Sequence, residues 1–130
     1  MMNRTPAFTS PVAADDLYAL GHSFLSHDES KRALVAFRAM LMVAPQDERA
    51  WIGLAQAHAM LCDIGVALEL FGAGMVACRS ARAGLMRARL LETEGRTREL
   101  NDTLVHVSSL VDDNTDADVR AEYYALMNLH

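Results

Sequence analysis

Five histidines, at positions 22, 27, 58, 106 and 130, and two cysteines, at 62 and 78, are the residues of this chain with the most chemistry to offer. A histidine acts as a general base when a nucleophile lies within hydrogen-bond reach, and as a metal ligand when a second ligand follows at short spacing. Neither pattern is written here. Ser23 and Ser26 neighbour His22 and His27 but share one helical run with them, and they read as surface or groove residues. Cys62 and Cys78 form no CxxC pair, so both read as small buried or half-buried thiols of a reduced, cytosolic chain. Asp112, Asn114, Asp116 and Asp118 alternate as calcium ligands do. An EF-hand loop would need Gly at 117 and Glu at 123, where this chain has Ala117 and Tyr123. The acids therefore read as a solvated loop leading into a helix cap. With no Gly-rich phosphate loop either, the expectation is a protein that is not an enzyme, with no metal and no cofactor.

The elements that carry these residues are helical in composition. Apolar residues make up 52% of the chain, with Ala, Leu and Met abundant and β-branched and aromatic residues sparse. Unbranched side chains lose little rotamer freedom in a helix. Twelve basic residues stand against 17 acidic ones, a net charge of −5, and no basic stripe interleaves with aromatics, so no nucleic-acid partner is expected. No uncharged stretch approaches the roughly 20 residues that a bilayer requires, so no membrane partner is expected. Residues 1–13, with Pro6 and Pro11 and no apolar period, read as a flexible leader rather than a signal peptide.

The chain repeats itself. LYALGHSFLSH, beginning at Leu17, returns 34 residues later as WIGLAQAHAML, beginning at Trp51. Ala33 recurs as Ala67 and Phe37 as Phe71. In a weaker third copy Leu85 answers Trp51, Ala88 answers Leu54 and Val105 answers Phe71, while Asn101 breaks the alanine position. Each copy holds two amphipathic runs parted by a short polar break: SHDES, CDIG and EGRT. Each therefore predicts two antiparallel helices, with small residues at 21, 33, 55 and 67 at the closest approach. Trp51, replacing Leu17, is expected to be largely buried.

A 34-residue helix–turn–helix period with this pattern, closed in the first copy by Pro45, resembles the tetratricopeptide repeat. Arg79 and Asp113 stand where later copies would carry that proline. The resemblance implies an all-α tetratricopeptide-repeat superhelix: three repeats over about 14–47, 48–81 and 82–115, and a capping helix over 116–129. Val119, Tyr123 and Leu126 would supply the covering stripe of that last helix.

In such a repeat the first (A) helix turns one face into a concave groove. The resemblance puts Asp15, Tyr18, His22 and Leu25 there, then Arg49, Ile52, Gln56 and Ala59, then Ala83, Met86, Leu90 and Thr93. Of these, Tyr18, His22, Leu25, Ile52, Gln56, Ala59, Met86 and Leu90 are the expected peptide-binding residues. With Leu17, Leu20, Trp51, Leu54, Leu85 and Ala88 taken as core, a second apolar stripe on the same helices must meet something else, and Met suits such a surface. The alternative is that Ile52, Met86 and Leu90 are core as well. Co-chaperones of this repeat class that grip acidic C-termini use a clamp of Lys, Asn and Arg. The matching positions here are Tyr18, His22, Gly53, Ala83 and Arg87, of which only Arg87 fits, so that clamp is not expected.

Leu17-Tyr18, Ala33 with Phe37, Gly53-Leu54, Ala67 and Gly74 together resemble the class II chaperones of bacterial type III secretion. That resemblance implies a cytoplasmic bacterial escort, linked to virulence, that keeps a secreted translocator soluble and export-competent with an apolar segment of the client extended in the groove. The short leader departs from the family's longer helical N-terminus and leaves a homodimer or heterodimer open. It also admits two alternatives: a smaller relative serving a needle subunit or early export component with a helical client, or a generic scaffold joining two proteins.

Overall fold

A computed structural model describes residues 11–129, and the described chain is seven α-helices without a strand: α1 Pro11–Ser26, α2 Ser30–Val43, α3 Glu48–Met60, α4 Ile64–Ala77, α5 Ala81–Thr93, α6 Thr97–Ser108 and α7 Ala117–Leu129. The expected all-α tetratricopeptide architecture is present, with three helix pairs followed by a last helix. Pro11 opens α1, a first-turn position where the missing N–H costs nothing. Residues 11–13 of the expected leader are thus helical, and residues 1–10 lie outside the described residues. The A helices α3 and α5 start on side-chain caps, where Asp47 accepts the Arg49 N–H at 3.0 Å and Ser80 accepts the Ala83 N–H at 2.9 Å.

The chain divides into two units, one running to Leu70 and the other starting at Phe71, inside α4. In the N-terminal unit α1 packs on α2, and α3 packs on both. Phe37 of α2 is fully buried at the centre, joined by Ala33, Met40, Ala50, Leu54 and Ala57. Two glycines make room for its ring. A Cβ at Gly21 would stand 2.7 Å from the ring, and one at Gly53 only 2.2 Å from it. The helices therefore close on Phe37 from both sides at positions where any side chain would hold them apart.

In the C-terminal unit α5 packs on α6, and α7 lies against both. Phe71, Leu85, Ala88, Leu91, Leu100, Leu104 and Val107 are buried. Val119, Tyr123 and Leu126 of α7 are buried too, forming the expected covering stripe.

The third copy requires a correction. Val105, the expected counterpart of Phe71, is 71% exposed, and Asn101 is exposed as well. Leu100 and Leu104, one residue earlier, are the buried pair. The cause lies in the turns. After α1, α3, α4 and α5 the chain leaves through a left-handed residue, at Asp28, Cys62, Arg79 and Gly95 respectively. In each case the next N–H reaches back five residues: Glu29 to Phe24, Asp63 to His58, Ser80 to Met75 and Arg96 to Leu91. The turns after α2 and α6 are the exceptions, and the one after α2 sets the comparison. It runs through Pro45 with the Ala44 N–H bonded to Met40 and the Asp47 N–H bonded to Ala44. That route takes residues 44–47, whereas the left-handed closure after α4 takes only 78–80. Without a proline at 79 the turn shortens by one residue, so α5 starts 33 residues after α3 and α6 starts 33 after α4.

Trp51 also departs from expectation. It is half-buried, with its indole N–H donated to the Pro45 carbonyl at 2.9 Å. An indole needs a partner for that N–H, and the turn carbonyl at the protein's edge supplies it. Leu17 is half-buried and packs against the Phe37 core, whereas Leu20 is 48% exposed and does not fill the core position expected of it.

Candidate functional site

The catalytic reading of the serines and histidines has no geometric support. The Ser26 hydroxyl donates to the His22 carbonyl at 2.9 Å, and His27 Nδ1 bonds the Ser23 carbonyl at 2.8 Å, so both side chains serve their own helix. His58 Nδ1 lies 3.3 Å from Asp63 Oδ2. Among the described residues no three His, Cys, Asp or Glu side chains converge on a metal-sized space. Cys62 is exposed rather than buried, because it occupies a left-handed turn; Cys78 is half-buried. Asp112 accepts the Asn114 N–H at 2.9 Å, which orders the acidic loop locally. Arg87 points inward, where it donates to Thr103 Oγ1 and approaches Glu99 at 3.9 Å beside Gly72. Arg96 donates to Glu99 and holds that carboxyl below its usual range.

The proposed binding face of the N-terminal unit starts from α1 and α3. Tyr18 and Leu25 are half-buried and rest on the Phe37 core; Gln56 and Ala59 are half-buried on α3, and His22 is exposed. Ile52 is buried at 9% exposure, so it supports this face from beneath more than it lines it. One end of the face is built around Arg49. Its Nε lies 3.1 and 3.2 Å from the two Asp47 oxygens, and its Nη2 donates to Asp47 Oδ2 at 2.7 Å and to Asp15 Oδ1 at 2.8 Å. The guanidinium carbon stands 4.7 Å from the centre of the Tyr18 ring. That ring is also 5.8 Å from His22 and 6.4 Å from Phe37, tilted to both. Hydrogen bonds from Arg49 hold the Asp47 carboxyl below its usual range, against the opposing pull of burial, and the Arg49 guanidinium is held still further above its already high value.

In the C-terminal unit Met86 and Leu90 of α5 are half-buried, Ala83 is buried and Thr93 is exposed. The shortened turn changes which residues correspond to α3. Thirty-three residues after Arg49, Ile52, Gln56 and Ala59 stand Arg82, Leu85, Arg89 and Glu92. Leu85 is buried, as Ile52 is. Arg82 pairs with Asp116 at 3.2 Å and Asp118 at 3.3 Å, and Arg89 pairs with Glu122. A 34-residue spacing overlooks both arginines. The missing proline at 79 and the glycine at 95, one residue ahead of schedule, are the sequence signals that mark them.

No protein-family model and no curated protein sequence matches the chain. Solved structures do match. The type III secretion translocator chaperone SycD of Yersinia enterocolitica superposes with a TM-score of 0.78 at 16% identity, over 99% of this chain and 97% of that one. PcrH, solved in complex with the chaperone binding region of PopD, superposes at 0.73 and 19% identity, over 92% and 90%. The TPR2B domain of yeast Sti1, solved as its pHsp70 complex, superposes at 0.70 and 18% identity, over 92% and 99%. At these identities the likeness is one of fold: the chain has the all-α tetratricopeptide-repeat fold, three helix–turn–helix repeats and a C-terminal helix.

Proposed function

We propose that the protein is a peptide-binding chaperone of a bacterial type III secretion system, acting in the cytoplasm to hold an apolar segment of a translocator and keep it export-competent. The observation that carries this reading is the face of α1 and α3. Tyr18 and Leu25 are half-buried against the core of Phe37, Leu54 and Met40, and Gln56 and Ala59 are half-buried on α3, so uncharged side chains stay incompletely covered on both helices. Such a surface recovers its remaining hydrophobic free energy only by covering itself with a partner. Met86 and Leu90, the expected members on α5, are half-buried but stand one residue off the α3 register, so the proposed face rests on α1 and α3. SycD and PcrH, both translocator chaperones or solved with a translocator segment, share the fold and support this client class. The role is binding rather than catalysis.

Ile52 is too buried to serve as a test position, so the decisive variant is Gln56→Glu with Ala59→Glu. Each carboxylate remains hydrated while the face is empty and must be desolvated when a client covers it. The expected result is an unchanged melting temperature and at least a tenfold loss of affinity for a peptide of the chaperone-binding region of PopD, with parallel loss of the host's own translocator in co-purification. Undiminished retention of both would remove the face from the function. A client that is stable when expressed alone would favour the scaffold reading, to which the likeness with Sti1 lends support; a client bound as a helix would favour the needle-subunit alternative.

A further inference from the structure

We infer that Arg49 is a positioning residue of this face: its guanidinium, locked by Asp47 and Asp15, presses on the Tyr18 ring and presets the orientation in which that ring meets the client. The inference rests on the proposed binding role of the α1–α3 face and adds a residue outside the peptide-binding set.

The geometry is that of a clamp with its own support. A guanidinium is planar and presents its donors as a fixed fork, so two carboxylates that engage it from different sides settle the plane in which it lies. Asp47 takes Nε and Nη2, and Asp15 takes Nη2 from the neighbouring helix. The guanidinium carbon so held lies over the Tyr18 ring, 4.7 Å from its centre and within the range of cation–π attraction. Phe37 and His22 also neighbour the ring, both tilted to it. A half-buried aromatic on an uncovered surface would otherwise exchange rotamers, and ordering it would oppose binding. Arg49 removes that freedom before the client arrives. The two carboxylates also offset its charge, so the face gains a rigid ring without acquiring a cation that an apolar segment would have to desolvate.

Asp47 caps α3 through the backbone N–H of residue 49, which any side chain there retains, so Arg49 can be changed without removing the cap. Arg49→Gln and Arg49→Lys are each made alone and on a Tyr18→Leu background, with the PopD-region peptide as the probe. Both single variants are expected to weaken binding about three- to tenfold, the loss that corresponds to ordering one side chain on association. Both should shift the Tyr18 ring-proton resonances of the free protein, and neither should weaken binding further once Tyr18 is leucine. Lysine should fail to rescue, because it carries the charge but not the plane. Full affinity with Arg49→Lys would overturn the inference in favour of charge alone. Equal losses with and without Tyr18 would show that Arg49 does not act through the ring. Unchanged affinity with a lowered melting temperature would leave Arg49 a stabilising residue only. If Tyr18→Leu and the Gln56→Glu with Ala59→Glu variant all bind as the parent does, the binding face itself is refuted, an outcome distinct from the other three.

Discussion

Arg49 sits between Asp47 and Asp15 in the N-terminal unit, and Arg82 sits between Asp116 and Asp118 in the C-terminal unit. In both, an arginine near the start of an A helix meets a carboxylate on a helix two along the chain in the same unit, Asp15 of α1 for Arg49 and Asp118 of α7 for Arg82. The remainder of each helix differs. Beyond Arg49 the residues are Ile52, Gln56 and Ala59, and the neighbouring helix adds Tyr18 and Leu25, none of them charged. Beyond Arg82 stand Arg89, paired with Glu122, and Glu92. Exposed ion pairs contribute little net stability, and a client segment lying over them would have to desolvate charge. Helices α5 and α7 are thus joined to each other across a charged seam, while on the proposed face of α1 and α3 the ion pairs gather at the Arg49 end. The contrast supports the proposed placing of the client on the N-terminal unit, while α7 covers α5 and α6 within the C-terminal unit.

The strongest test of this comparison lies in the repeat register. Leu104→Ala should cost about 2–5 kcal/mol, as for other buried leucines, while Val105→Ala should stay within about 0.5 kcal/mol. Denaturant melts of the two would decide it, and a larger loss at Val105 would restore the 34-residue spacing. A smaller effect is expected at the glycines. Gly53→Ala drives a methyl into the Phe37 ring, a rigid neighbour, and should cost about 1–3 kcal/mol. Gly84→Ala meets Val107 at 2.6 Å and the Met75 sulfur at 2.7 Å. The thioether can swing aside although the valine cannot, so the loss in thermal stability there should be the lesser of the two.

The smallest effect is electrostatic. Because the folded Asp47 carboxyl is held below its usual value of 3.8, its stabilising contribution is fully present above that value and is lost as pH falls through the lowered one. Asp47→Asn keeps a capping oxygen but removes the charge, so it should cost about 0.5–1 kcal/mol at pH 7 and almost nothing once the parent carboxyl is protonated. Equal losses at both pH values would assign the contribution to the cap rather than to the pairing with Arg49.

Much of the fold was legible in the chain alone. The recurrence of Ala33 and Phe37 as Ala67 and Phe71, the polar breaks between runs, and the stripe of Val119, Tyr123 and Leu126 all depend on periodicity, which one dimension records completely. Tertiary structure decided whatever depends on how the backbone turns and on what lies opposite a side chain. A left-handed exit after α4, in place of the proline route after α2, moved the third repeat by one residue and exchanged Val105 for Leu104 in the core. Trp51 kept its repeat position yet stayed half out, because its N–H reaches the Pro45 carbonyl. Ile52 and Gln56 share a helix face in the sequence, but only packing buries the one and leaves the other accessible. The clamp of Asp15, Asp47 and Arg49 on Tyr18 joins two helices, and pairing across helices is set by distance in space, which spacing along the chain does not encode.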